Sequence, residues 1–371
     1  MKYPVKVLQI GMTHNIGGME TYLMSQYRKL DRNKVRYDFL NITGEKNIAF
    51  SEEILNNHDN IYSVPTRNKS PFYHYWKVFL LLYNLRKEYK YIVLNTCSLY
   101  YVFPLFIGML VGIPHRVIHS HNSGDEINIS FLRHLLICLN RFLMEISVTE
   151  YFACSNVAGK WMFKNHPFTI IHNAIDTSKF VYDFNIRKKI RKELNLENKF
   201  VLGNVARFSY QKNHELLIDI FQSVASRDKD AVLLLVGSAN GDKARFAMIK
   251  EKVQSYHLED KVFFLGLRKD TNRLYQAMDC LVMPSRFEGL SMVAVEAQAA
   301  GLPCICSTAM SEETKIIDEF YQIDLKAPIK KWTDVILASK NIIRKDTSQI
   351  IRNAGYDINI VANYISSLYL A

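Results

Sequence analysis

Two carboxylates, Glu288 and Glu296, stand eight positions apart in the stretch from Pro284 to Pro303, a spacing that suits a phosphorylated sugar held at a loop-to-helix junction. The apolar run Cys280 to Met283 reads as a buried strand, Pro284 to Leu290 as the loop after it, and Ser291 to Ala300 as a helix with serine at its N-cap. The amides of Gly289, Leu290 and Ser291 would then lie at the positive end of a helix dipole, where phosphate oxygens are favourable ligands. Glu288 falls at the strand's carboxyl end, where open parallel sheets bind ligands, and Glu296 about a turn inside the helix. Carboxylates only accept hydrogen bonds, so the pair could hold sugar hydroxyls at two ends of one ligand. The same residues also fit a capped, solvated helix with incidental acids, so the reading needs support from elsewhere in the chain.

That support comes from neighbouring strand ends. Arg207 and Lys212 follow the run Phe200 to Asn204, and two cations in such a loop can clamp a diphosphate, arginine as a planar fork and lysine as a point charge. Gly237 follows Ala231 to Val236 and Gly266 follows Val262 to Leu265; each would let backbone approach a ligand, and each could equally be a turn. Taken singly these are ordinary loops. In one parallel sheet their strand ends converge with Glu288 on a single edge. In the first half, Gly17 and Gly18 follow the first strand and open a helix, without the GxGxxG spacing of dinucleotide binders, and Gly237 to Lys243 does not fit the P-loop pattern. His121, in His119-Ser-His-Asn-Ser-Gly-Asp125, stands just past another strand end, with Asp125 a spare acid nearby.

The elements that must position these residues alternate. Strands are expected at Val5 to Ile10, Tyr37 to Asn41, Tyr91 to Asn95, Arg116 to His119 and Tyr151 to Ala153, with helices at Glu20 to Leu30, Tyr73 to Lys87, Tyr101 to Val111 and Phe131 to Ser147. The second half repeats the pattern: helices around Leu217 and Phe221, over Ala244 to Tyr256 and over Asn272 to Met278 separate the strands already named. Parallel sheets covered by helices on both faces follow. A length of 371 residues suggests two domains: 1–178, a charged linker over 179–199, and 200–355. A last helix, about 356–371, carries Ile360, Val361, Tyr364, Ile365 and Leu368 on one stripe and needs a partner surface.

Net charge is +11, and 20 Lys and Arg against 13 Asp and Glu fall within the first 180 residues. Such an excess fits nucleic acid, an anionic membrane or phosphorylated substrates. No zinc finger, RNP-like motif or arginine stripe supports nucleic acid. The start of the chain lacks a signal-peptide pattern, and its longest apolar stretch, Leu99 to Ile113, is broken by Pro104 and Gly108, so a cytoplasmic protein is expected. Six cysteines without a CxxC pair, five of them in apolar runs including Cys138, read as structural thiols. Phe131 to Ser147, with Arg133, His134 and Arg141, is either a core helix with a basic edge or a surface helix lying against anionic lipid.

The run Glu288 to Glu296 resembles the E-x7-E motif of the retaining, GT-B-fold nucleotide-sugar glycosyltransferases of family four. The resemblance extends to Gly17-Gly18, the His121 loop, Ala153 to Ser155, Ile171 to Asp176, Arg207 with Lys212, and Ala299 to Pro303. Within the family the chain is most similar to bacterial capsule and exopolysaccharide transferases. Where many relatives carry His-x-His after the fourth strand, this chain has Asn95-Thr-Cys97. The resemblance implies two Rossmann-like domains facing a cleft, with the last helix crossing back to the first domain. It implies a nucleotide-sugar donor, UDP by family frequency, on the C-terminal domain and a glycan or lipid-linked acceptor on the other. Arg207 and Lys212 would hold the diphosphate without a metal, and Glu296 the ribose hydroxyls. Glu288 would orient the transferred sugar, and His121 would contact that sugar or the reacting centre. Gly17 and Gly18 would let the first loop approach phosphates and acceptor. No cofactor is expected. A nucleotide-sugar epimerase of similar fold and a non-catalytic sugar-binding protein are the alternatives.

Overall fold

The computed structural model describes residues 4–122, 124, 130–239 and 242–371. The chain divides into two compact units, Met1–Ile175 with Asp357–Ala371, and Asp176–Tyr356.

The first unit holds seven parallel strands: β1 (Val5–Ile10), β2 (Val35–Asn41), β3 (Ile61–Ser63), β4 (Tyr91–Thr96), β5 (His115–Ser120), β6 (Glu150–Ala153) and β7 (Thr169–Ile170). Its helices are α1 (Gly18–Lys29), α2 (Ser51–Asn56), α3 (Pro71–Leu85), α4 (Phe103–Leu110), α5 (Phe131–Ser147) and α6 (Asn156–Phe163). The spatial order β3-β2-β1-β4-β5-β6-β7 reverses direction between β1 and β4. Successive side chains point to opposite faces. Val7, Tyr37 and Val93 therefore join one core with α1 and α2, while Leu8, Ile10, Ile92 and Leu94 join another with α3, α4 and α6. Burial on both faces is why these strands read as apolar runs.

The second unit begins with α7 (Phe184–Glu193) and has strands β8 (Phe200–Val205), β9 (Ala231–Val236), β10 (Val262–Gly266), β11 (Cys280–Met283), β12 (Cys304–Ser307) and β13 (Phe320–Ile323). Its other helices are α8 (His214–Arg227), α9 (Lys243–Ser255), α10 (Thr271–Ala277), α11 (Met292–Ala299), α12 (Ile329–Ser339) and α13 (Ser348–Asn353). The order β10-β9-β8-β11-β12-β13 reverses between β8 and β11, all pairings being parallel. Helix α14 (Ile358–Leu370) packs on α1 in the first unit, and Ile358 N donates to Ile175 O at 2.8 Å. Each sheet thus has one switch point, where loops diverge and leave a crevice at the carboxyl edge.

Four expectations need correction. Residues 179–199 are not a linker: α7 buries Ile190, and Arg187 and Arg191 grip Asp279 at 2.5 and 2.8 Å. A short, charged helix hides its fold contribution in partners about ninety positions away. The inward stripe of α14 is Ile358, Val361, Ala362, Ile365 and Tyr369, whereas Ile360 and Tyr364 face out. Cys138 is exposed on α5, while Cys154, Cys280, Cys304 and Cys306 are buried. Helix α5 is not a core helix: Phe131 is 81% exposed and Leu132 75%, and its buried residues are Asn140, Met144 and Ser147.

Candidate active site

In the second unit the loops after β8 and β11 meet at the switch point and are laced together. Arg286 N donates to Gln211 O at 2.7 Å, Gln211 Nε2 to Phe287 O at 3.1 Å, and Asn213 Nδ2 to Pro284 O at 3.0 Å. Asn213 does this from the left-handed region, φ 53°, which asparagine tolerates better than most residues. The lacing brings together two residues 76 positions apart: Lys212 Nζ lies 2.5 Å from Glu288 Oε2, with each side chain only 13% exposed. Glu288 is also fixed through its backbone, its N–H donating to Ala309 O at 3.1 Å and its carbonyl accepting from Ser311 N at 3.3 Å. The structure therefore pairs the cation expected on phosphate with the carboxylate expected on sugar.

Arg207 is exposed in the loop after β8 and makes no ion pair among the described residues. Its guanidinium fork is free to meet an anion at this edge. Gly237 sits beside it with its N–H on Gly266 O at 2.9 Å, and a Cβ on Gly237 would lie 1.9 Å from Ala206 O. Packing of backbone on backbone accounts for this glycine without a ligand. Gly266, at φ +65°, has open space where a Cβ would go.

Ser291 caps α11 without a side-chain hydrogen bond, and among the described residues the amides of Gly289, Leu290 and Ser291 donate to no protein acceptor. Uncommitted donors at a helix start favour anions. One turn in, Glu296 Oε2 accepts from the Tyr275 hydroxyl at 2.9 Å. Although part of the side chain reaches the surface, burial pushes the Glu296 carboxyl up to about 7, and the Tyr275 bond offsets only part of that push. Tyr275, fully buried on α10, is a site residue the sequence reading missed; nothing in its local pattern distinguishes it from core.

The first unit carries its own polar edge at its switch point. His121 follows β5, its Nε2 3.1 Å from Asn95 Oδ1 and its Nδ1 3.2 Å from Asn173 Oδ1. The ring packs on His119, centroids 4.0 Å apart, and on Tyr22 at 5.4 Å. Burial drives His121 down to about 4, so the ring is neutral at physiological pH. Gly17 precedes α1, and its amide is already taken by Glu20 Oε2 at 3.1 Å; Glu20 Oε1 also accepts from Thr13 N and Thr13 Oγ1, at 3.1 and 2.9 Å. The buried Glu20 thus holds the glycine loop, a role signalled by its place three residues after the N-cap. Gly18 has open space around it. Asp125 lies outside the described residues. Asn95 and Asn173 lie in stretches the sequence reading names, but their pairing with His121 is not legible there, because the three are distant along the chain.

Residues 186–343, most of the second unit, match the family model described as Glycosyl transferases group 1. Over 367 residues the chain is 28% identical to EpsF of Bacillus subtilis, covering 95% of this chain and 93% of that one. It is 26% identical over 323 residues to an Escherichia coli UDP-Gal:alpha-D-GlcNAc-diphosphoundecaprenol alpha-1,3-galactosyltransferase, covering 79% of each. Among solved structures, Anabaena Alr3699/HepE in complex with UDP superposes with a TM-score of 0.76 at 19% identity, covering 98% of this chain and 99% of that one. The two parallel sheets and this likeness give the expected fold, GT-B.

Proposed function

We propose, for a glycosyltransferase whose second unit is a group 1 glycosyl transferase domain, that the laced edge of that unit binds a UDP-sugar and that the enzyme transfers its sugar with retention. The observation that carries this reading is the convergence of Arg207, Lys212, Glu288, the Gly289 to Ser291 amides and Glu296 on one switch-point edge. Arg207 and the amides offer fixed positive potential to a diphosphate, which needs no metal to leave. Lys212 moves from Glu288 toward phosphate as the donor enters, freeing Glu288 to accept from sugar hydroxyls. Glu296 accepts from the ribose. A Glu288 engaged by the hydroxyls of the sugar is a poor nucleophile, which supports reaction on one face of the sugar instead of a glycosyl-enzyme intermediate. His121, Gly17 and Gly18 are assigned to the transferred sugar and acceptor; the neutral, doubly bonded His121 ring fits positioning better than proton transfer. UDP is named in the complexes of HepE, and a lipid-linked sugar in the name of the E. coli relative; both support the donor and acceptor classes proposed here, within bacterial polysaccharide assembly.

The acceptor's lipid has a matching surface. Helices α3, α4 and α5 pack side by side on one face of the first sheet. Outward they show Phe72, Trp76, Leu110, Phe131, Leu135 and Phe142, and from residue 61 to 122 the sequence has seven Lys and Arg and one acid, Glu88. No helix among the described residues is long and apolar enough to cross a membrane. Apolar and aromatic side chains flanked by cations suit shallow seating in an anionic headgroup layer. The test of the donor assignment is a thermal-shift screen of nucleotide sugars, since a ligand that binds only the folded chain raises its melting temperature. UDP-sugars should stabilise and GDP-sugars should not; equal stabilisation by both would refute the UDP assignment.

A further inference from the structure

We propose that Asn95 is a positioning residue that locks His121 as the neutral Nε2–H tautomer. A backbone carbonyl fixes which way the Asn95 amide faces. Asn95 Nδ2 reaches Ile10 O at 3.3 Å and Gln9 Oε1 at 2.8 Å. A carbonyl oxygen only accepts, so the nitrogen end of the Asn95 amide must face Ile10, and its oxygen must face His121. The side chain is 2% exposed and its Nδ2 is held by both contacts, while Gly11, at φ +122°, packs on the Asn95 backbone, where a Cβ would lie 2.1 Å from the carbonyl oxygen. His121 Nε2, 3.1 Å from that oxygen, is therefore the protonated nitrogen.

A neutral imidazole then presents a lone pair at Nδ1, 3.2 Å from the Asn173 amide. Because the amide oxygen of Asn173 is the atom facing Nδ1, the lock requires that amide to be turned end for end so that its Nδ2 donates to the lone pair. Among the described residues the titratable groups in contact with the ring are His119 on β5 and Tyr22 on α1, and His119 is itself buried and held neutral. A proton on His121 would therefore face a neighbouring imidazole and an Asn173 amide turned with its N–H toward Nδ1. The consequence is a ring that can orient a ligand through its Nδ1 side, in exchange for Asn173, while Nε2–H remains engaged and takes no proton during turnover.

The inference rests on the reading of His121 as a substrate contact, and its test separates the two. Side-chain nitrogen NMR of the full chain labelled at histidine, with His121→Gln to identify the signals, should show a pyrrole-type Nε2 and a pyridine-type Nδ1 that do not titrate between pH 5.5 and 8. In Asn95→Asp, which keeps the shape and places a carboxylate on Nε2–H, the ring should titrate with its midpoint raised by at least about 1 pH unit over wild type. At saturating donor, turnover in this variant should fall as pH drops through the new midpoint, whereas wild-type turnover shows no such step. A wild-type ring that titrates near its ordinary midpoint, or that carries its proton on Nδ1, overturns the lock, as does an Asn95→Asp spectrum identical to wild type. If the lock is seen but His121→Ala turns over normally, the lock stands and the substrate contact falls.

Discussion

Lowering the pH should weaken donor binding, and the size of the effect follows from Glu296. Its carboxyl lies at about 7 in the free protein because burial disfavours the charge. A ribose that donates two hydroxyls to it stabilises the carboxylate and should return it toward the ordinary carboxylate range, near 4.3. Binding then releases a proton below pH 7. The linkage gives a loss of affinity approaching tenfold per pH unit, roughly eightyfold between pH 8 and pH 5. A UDP-sugar is the right ligand, because its diphosphate is esterified at both ends and does not titrate in this window. Calorimetry across that range measures it. Glu296→Gln keeps the shape and removes the titration: its affinity should be flat with pH, and lower than wild type at pH 8 by about 1.5–3 kcal/mol, the worth of a charged hydrogen bond. Stability should move the other way. The folded carboxyl titrates above its ordinary value, so its contribution is full below that value and is lost as pH rises through about 7. Glu296→Gln should therefore melt higher than wild type at pH 8. A wild-type affinity that is constant from pH 8 to 5, or a glutamine variant with the same slope, refutes the reasoning.

Arg207→Ala and Lys212→Ala should each cost on the order of 3 kcal/mol of transition-state stabilisation, about a hundredfold in turnover; folded variants with near-normal turnover would remove both from the diphosphate. Only Lys212→Ala should also lower the melting temperature, since it strands Glu288, whereas Arg207 has no ion-pair partner among the described residues to strand. Glu288→Ala should lower turnover while leaving affinity for free UDP nearly intact, and an equal loss in both would merge its role with that of Glu296. Activity should persist in excess EDTA; loss restored by magnesium or manganese would mean that a metal carries the leaving group. The chain should sediment with anionic vesicles at low salt and leave them at high salt, and binding neutral vesicles equally well would rule out the cationic face.

Much of this was legible because parallel strands buried on both faces leave continuous apolar runs. Phe200 to Asn204, Ala231 to Val236 and Cys280 to Met283 sit within a residue of where their composition puts them. The residues after those strands could be placed on one edge by topology alone. What could not be read is pairing across distance. Lys212 with Glu288, His121 with Asn95 and Asn173, and Arg187 with Asp279 are contacts made by the sheet, and no local period encodes them. The short strands Ile61–Ser63, Thr169–Ile170 and Phe320–Ile323 escaped for a related reason: two to four residues are too few to show a period. Helix α7 escaped because its burial is one isoleucine wide and the rest is ion pairing.

Retaining transfer from a nucleotide sugar is most directly tested by proton NMR of the reaction with a UDP-sugar and a lipid-linked sugar acceptor. Stoichiometric release of UDP and a new glycosidic bond with the anomeric configuration of the donor are expected. An inverted anomer would contradict retention, and conversion of the UDP-sugar to its epimer without any need for acceptor would replace the transferase with an epimerase.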